Sequence, residues 1–177
     1  MYILPKKLMI LGSGELGKEL AIAAKRLGCF VIACDKYSNA PAMQVADEAL
    51  VFDMQNESIL INNIYQQKPD VIIPEIEALS VKALQRVEQE GFKVIPNARA
   101  VSVTMNRDKI RDLAANELGI KTAKFAYVSN QKDIKNVIKD FNFPVIVKPI
   151  MSSSGKGQTL VKNILDLEKA WDQAIKE

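Results

Sequence analysis

Among its 177 residues the sequence has no histidine. This excludes Ser-His-Asp and Cys-His nucleophile pairs, imidazole acid/base chemistry and zinc centres with histidine ligands. Catalysis would fall to carboxylates, lysine, arginine, hydroxyls, backbone dipoles, or a metal held by oxygen. Cysteine is scarce too. Cys29 and Cys34 stand five apart in an apolar stretch and match no metal or redox spacing. A reduced, cytoplasmic setting is expected. No apolar run approaches about 18 residues, so neither a membrane span nor a signal peptide is read. Repeats and low-complexity tracts are missing. The lysines are scattered, and no nucleic-acid surface is expected.

The composition that remains, 48% hydrophobic and 25% charged, is that of an ordinary globular chain. The net charge of +3 is unevenly shared. Residues 1–96 carry a net −2 and residues 97–177 a net +5. An acidic first half and a basic second half point to two units with different ligands.

Short apolar runs alternate with helical patterns in the first half. Strands are expected over 8–11, 30–34, 49–52, 71–73 and 92–95. Helices are expected from the Gly12 loop to about Leu27, over 56–67 and over 80–90, with Gly28 and Gly91 as stops. This rhythm predicts an α/β fold with a parallel, doubly wound sheet. Pro96-Asn97-Ala98-Arg99 reads as a linker. Beyond it, Thr104 caps an expected helix over 106–118, and Asn130 caps one over 131–141. Strands are expected over 124–128, 144–147 and 159–162, and a last helix from Asp166. The domains are therefore 1–96 and 97–177.

Gly12-Ser13-Gly14-Glu15-Leu16-Gly17 follows the first strand and opens a helix, and Asp35 ends the second strand. This is a dinucleotide-binding spacing, with an acid placed for a ribose hydroxyl. The same glycines equally serve a tight turn and close helix–strand packing, and Asp35 equally reads as a polar strand end. Glu15 opposes a pyrophosphate in that loop. Glu75, in Pro74-Glu75-Ile76-Glu77, lies at the carboxyl end of the fourth strand. Ligands of open α/β sheets gather at such ends. Glu15 and Glu75 converging there suit an amine or a hydroxyl-rich ligand better than a diphosphate; as an alternative, both are solvated loop acids.

In the second half Lys148 ends an apolar strand. A loop of small residues follows, Met151-Ser152-Ser153-Ser154-Gly155-Lys156-Gly157-Gln158. Successive backbone N–H groups in such a loop cradle a phosphate, and Lys148 and Lys156 add compensating charge. The spacing is not that of a Walker A loop. A flexible hairpin is the plainer reading. Arg107 stands in a first helical turn, against the macrodipole; a nearby anion, or a local pair with Asp108 or Asp112, relieves that conflict.

Taken together, these strings resemble the ATP-grasp superfamily, with a Rossmann-like preceding domain. Gly12-Ser-Gly-Glu-Leu-Gly-Lys-Glu19, Ala40-Pro-Ala-Met43, Pro74-Glu-Ile-Glu-Ala78, Thr104-Met-Asn-Arg107 and the run Lys148-Pro-x-Met-Ser-Ser-Ser-Gly-Lys-Gly-Gln158 resemble the formate-dependent phosphoribosylglycinamide formyltransferase family. The resemblance runs from about residue 7 to residue 177. It implies ATP with Mg²⁺, formate and glycinamide ribonucleotide as ligands, formyl phosphate as intermediate, and a homodimer. It implies that Glu15, Leu16 and Glu75 contact glycinamide ribonucleotide. It also implies that Arg107, Lys148, Ser153, Ser154, Gly155, Lys156, Gly157 and Gln158 contact ATP. Family members continue well past residue 177, with the adenine strand, the Mg²⁺ ligands and the residues that hold the substrate phosphate. No metal ligand is therefore assigned in this chain, and by itself it is expected to be nearly inactive. The alternatives are an ATP-dependent purine-pathway carboxylase of the same superfamily, an NAD-binding Rossmann fragment, and a non-catalytic remnant.

Overall fold

Four apolar segments form a parallel sheet in the order β3-β2-β1-β4: β1 (Lys7–Leu11), β2 (Phe30–Asp35), β3 (Glu48–Val51) and β4 (Val71–Pro74). The structure is a computed structural model and describes residues 6–150 and 156–176. β1 lies inside the sheet, paired with β2 from Lys7↔Phe30 to Leu11↔Cys34 and with β4 from Leu8↔Val71 to Leu11↔Pro74. Its residues Met9, Ile10 and Leu11 are fully buried, so both faces of the sheet are covered, as a parallel sheet requires.

The coverings are helices. On one face Ile10, Val31 and Ala33 cluster with Ala21 and Ala24 of α1 (Glu15–Arg26) and with Ala42 of the short 3₁₀ turn Pro41–Gln44. Met9, Leu11, Ile32 and Ile72 alternate to the other side and are equally buried. α2 (Glu57–Gln67) and α3 (Val81–Gln89) supply the buried Leu60, Ile64, Leu84 and Val87. Asn56 caps α2 by accepting from the Ile59 N–H, and Ser80 caps α3 by accepting from the Ala83 N–H.

The α/β reading with a parallel sheet holds, with four adjustments. The strand expected over 92–95 shrinks to a single parallel bridge, Ile72↔Val94, held by Ile72 N–H to Lys93 O and Ile95 N–H to Ile72 O. Pro96 has no N–H with which to extend it. The linker read at 96–99 instead starts a helix, α4 (Ala98–Met105). Asn97 Oδ1 accepts from the Ala100 N–H at 2.8 Å, and the Glu88 carboxylate accepts from the Ala98 N–H. Thr104 therefore lies inside α4, and the next helix, α5 (Arg107–Asp112), begins after Asn106. Over Leu113–Glu117 it loosens to the i→i+5 pattern, with Leu118 N–H bonded to Leu113 O. Finally, 124–128 forms no strand.

The chain divides into two compact units, Met1–Ser102 and Val103–Glu177, and the division falls inside α4. In the second unit β5 (Val145–Val147) and β6 (Thr159–Val161) pair antiparallel. Their inner side, Val145, Val147 and Val161, packs with Ile134 of α6 (Gln131–Val137), Ile138, and Leu167 and Ala170 of α7 (Leu167–Ala174). No helix among the described residues is long and apolar enough to cross a membrane.

Candidate functional site

In the first unit the chain reverses direction of winding about β1, so β1 and β4 are neighbours whose following loops leave the same edge. Such a switch point at the carboxyl ends of strands is where open α/β sheets bind ligands. The turn after β1 leads into α1, whose first residues Glu15 and Leu16 are both exposed, Leu16 at 69%. The loop after β4 carries Glu75. The N–H groups of Glu75 and Ile76 both donate to Leu11 O, which ties the two loops together at their roots.

Gly12 is the joint between them. Its φ of +123° is a conformation side chains rarely adopt. A Cβ there would stand 2.5 Å from Glu75 Oε2 and 2.5 Å from Ile76 Cγ2. The missing side chain is therefore the space that Glu75 occupies. Glu75 is half-buried, and its Oε2 is shut off from solvent without a hydrogen-bond partner. Burial pushes the Glu75 carboxyl above its ordinary value, and the charges of Glu77 and Asp35 push it further. An acceptor left in this state costs about 1–3 kcal/mol. An amine beside the carboxyl would supply a compensating charge.

Asp35 is not presented to a ligand. It is 5% exposed, and its carboxylate accepts from the N–H of Ser13 at 2.9 Å and of Lys36 at 2.8 Å. Ser13 is fully buried and donates through Oγ to Cys34 O. Of the two readings of Asp35, the strand-end role fits this geometry. Gly17 likewise serves packing: a Cβ there would stand 2.6 Å from Gly12 O. Burial pushes the Cys34 thiol far up, and both cysteines are free and buried, so neither is a nucleophile.

The second unit offers a different surface. Alternation along β5 turns Val145 and Val147 inward, while Ile146 and Lys148 are exposed on the other face. Leu160 of β6 stands opposite Ile146 in register, and both are 54% exposed. An apolar strip that ends in a lysine can take a flat base along its length and a phosphate at its head. A groove of about 760 Å³ in this unit is lined by Ile146 and Lys148 together with Asp108, Arg111, Phe125 and Tyr127. The segment expected as a strand over 124–128 is fixed by side chains instead. Tyr127 Oη donates to Asp108 O at 2.9 Å, and the Arg111 guanidinium lies 5.4 Å from the Phe125 ring centre. Asp108 Oδ1 is buried without a partner.

Among the remaining expected site residues, Arg107 opens α5. Lys156 is exposed, Gly157 turns with φ +67°, and Gln158 leads into β6. Ser153, Ser154 and Gly155 lie outside the described residues. The Ile146–Leu160 strip is absent from the sequence reading, although alternation in Val145-Ile146-Val147-Lys148 signals it. Among the described residues no group of three or more Cys, Asp or Glu side chains could hold a metal ion.

The family model of the ribonucleotide synthetase preATP-grasp domain matches residues 5–105. The chain belongs to this family. An ATP-grasp domain model matches residues 113–177. A formate-dependent phosphoribosylglycinamide formyltransferase from Prochlorococcus marinus is 65% identical over the whole chain, and one from a Synechococcus species is 58% identical over 99% of it. In both cases the chain spans about 45% of the relative's length. Among solved structures, glycinamide-RNase-transformylase T from Mycobacterium tuberculosis aligns with a TM-score of 0.80 at 39% identity, over 89% of this chain and 44% of that one. The ADP complex of N5-carboxyaminoimidazole synthetase from Staphylococcus aureus aligns with a TM-score of 0.88 at 27% identity, over 99% and 46%. The preATP-grasp chain thus shares its fold with both enzymes, and far more of its sequence with the formyltransferases.

Proposed function

We propose that this chain supplies part of a formate-dependent phosphoribosylglycinamide formyltransferase. That enzyme joins formate to the terminal phosphate of ATP and passes the formyl group to the amine of glycinamide ribonucleotide. One observation carries the reading over the carboxylase alternative. Identity to the formyltransferases reaches 65% along the entire chain, whereas the carboxyaminoimidazole enzyme that shares the fold matches at 27%. Glu75 at this strand end supports it, because a carboxylate attracts an amine and repels a diphosphate.

In this reading Glu15, Leu16 and Glu75 hold the glycinamide end of the nucleotide, and Glu75 orients the amine toward the carbon it attacks. Holding amine and acyl donor in attack geometry provides much of the rate. Lys148 meets the phosphates of ATP at the head of the Ile146–Leu160 strip, with Arg107, Ser153, Ser154, Gly155, Lys156, Gly157 and Gln158 completing the anion site. Cationic groups and backbone donors there stabilise charge on the transferred phosphoryl group. Mg²⁺, when bound with ATP, neutralises phosphate charge; the described residues offer no ligand set for it.

Calorimetric titration of the chain with glycinamide ribonucleotide, a non-hydrolysable ATP analogue and NADH tests the assignment. The first two are expected to bind and NADH to show no heat. Tight NADH binding with no response to glycinamide ribonucleotide would overturn it. Phosphate release from ATP with formate and glycinamide ribonucleotide is expected to be slight for this chain, and robust turnover would show that it carries the whole reaction.

A further inference from the structure

We infer that Asp35 is a positioning residue for the amine site: it clamps the turn that leads into α1 and so sets where Glu15 stands. The inference rests on the reading of Glu15 and Glu75 as contacts of the substrate amine.

The clamp is visible in the hydrogen bonds. Gly12 N–H donates to Cys34 O, Ser13 N–H to Asp35 Oδ2 and Ser13 Oγ to Cys34 O, at 2.9–3.0 Å. Three bonds thus fasten the start of the turn to the end of β2. Ser13 O in turn accepts from the Ala42 N–H, which fixes the turn from its other side. The Ser13 N–H, a donor of the kind a pyrophosphate uses in a dinucleotide site, is already taken by a buried carboxylate. Asp35 withdraws that donor from any anion at the turn.

The second action is electrostatic. The charged groups whose fields reach Glu75 are Glu77, on its own loop, and Asp35, at the end of β2. Both favour the protonated carboxyl, in addition to burial. Glu15, at the start of α1, is a further acid at this edge and is exposed. A carboxylate among acids attracts an ammonium group, and a raised carboxyl value lessens the cost of taking a proton from it. The proton moves from the substrate nitrogen to a Glu75 oxygen, leaving the nitrogen lone pair free and the carboxyl neutral. That balance suits an amine that must lose its charge before it attacks.

The test compares the wild-type chain with Asp35→Asn, which keeps a side-chain oxygen for the Ser13 N–H, gives up the acceptor for the Lys36 N–H and removes the charge. Carboxyl NMR titration should place the Glu75 midpoint above the ordinary glutamate value in the wild type. In Asp35→Asn the midpoint should fall toward the ordinary glutamate value. Glu77→Gln, on an exposed side chain, should lower it also, without disturbing the turn. The pH dependence of glycinamide ribonucleotide affinity should move with the Glu75 midpoint in each variant. In the wild type, the Ser13 amide should exchange slowly with solvent, a readout that needs no variant.

An unmoved Glu75 midpoint in Asp35→Asn, or a rapidly exchanging Ser13 amide, would overturn the inference. A midpoint that shifts while ligand affinity shows no pH dependence would overturn it by a different route, because it would place the amine away from Glu75 and so refute the underlying assignment.

Discussion

Gly17→Ala separates a packing role for the glycine loop from a permissive one. At an ordinary interior helix position alanine is more favourable than glycine by about 1 kcal/mol. At Gly17 the new Cβ would lie 2.6 Å from Gly12 O and 3.7 Å from Ala42 Cβ. Gly12 O cannot easily retreat, because the Gly12 N–H is bonded to Cys34 O and the residue abuts Glu75 and Ile76. Overpacking of this kind costs about 1–3 kcal/mol, and contact with backbone places the cost toward the upper end. The net effect is a destabilisation of about 1–2 kcal/mol, or an opening equilibrium about 5–30 times more populated. The sole tryptophan, Trp171, belongs to the second unit, so its fluorescence reports the wrong half. Hydrogen exchange followed by mass spectrometry on peptides covering β1 and α1 is the suitable assay. Gly14→Ala is the comparison, since no atom lies within 4 Å of a Cβ there. It gives up a glycine N-cap for a poorer one, at roughly 0.5 kcal/mol. Slower exchange in Gly17→Ala than in wild type would show that the loop has room, and the close-approach argument would fail.

Lys148→Ala should weaken binding of an ATP analogue at least about tenfold, the loss of one charged contact to phosphate, with little change in stability because Lys148 is exposed; calorimetry at fixed salt checks it. Glu75→Gln should abolish most of the affinity for glycinamide ribonucleotide while making the first unit slightly more stable at pH 7. The sign follows from the raised Glu75 value: its stabilising proton is held at low pH and lost as pH rises through the folded-state value, so at neutral pH the ionised group is a liability. Exchange rates at pH 7 and pH 4 should differ accordingly, the advantage vanishing at the lower pH. Asn56→Ala removes the acceptor for the Ile59 N–H at the start of α2 and should cost about 1 kcal/mol, read as faster exchange in 57–67.

Much of the first unit was legible because its signals are local and agree with one another. Leu8 to Leu11 is a continuous apolar run, Asn56 and Ser80 cap the helices they precede, and Gly28 lies just beyond the end of α1. The second unit was less legible because side-chain contacts there override the local pattern. Phe125 and Tyr127 alternate like a strand, yet their side chains engage Arg111 and Asp108 and no backbone ladder forms. Pro96 and Asn97 look like punctuation, and they are. The element after them is a helix, because Asn97 caps it and Glu88 accepts its Ala98 N–H. The candidate site shows the same limit. Spacing marked Gly12, Glu15, Asp35 and Glu75 as special, but only the hydrogen bonds distinguish Asp35, which faces Ser13, from Glu75, whose Oε2 packs against Gly12 without a hydrogen bond.

Ala98 and Val101 are buried, and both fall within the first compact unit although they lie beyond Pro96. Anyone dissecting the gene into expressible pieces therefore has a natural place to cut and a poor one. A fragment ending at Pro96 discards the first two turns of α4 and leaves the Glu88 carboxylate without its Ala98 N–H. A fragment carried on to Asn106 keeps both. The longer piece should behave as a well-dispersed monomer in sedimentation, and the shorter one should self-associate through the apolar surface that α4 would have covered.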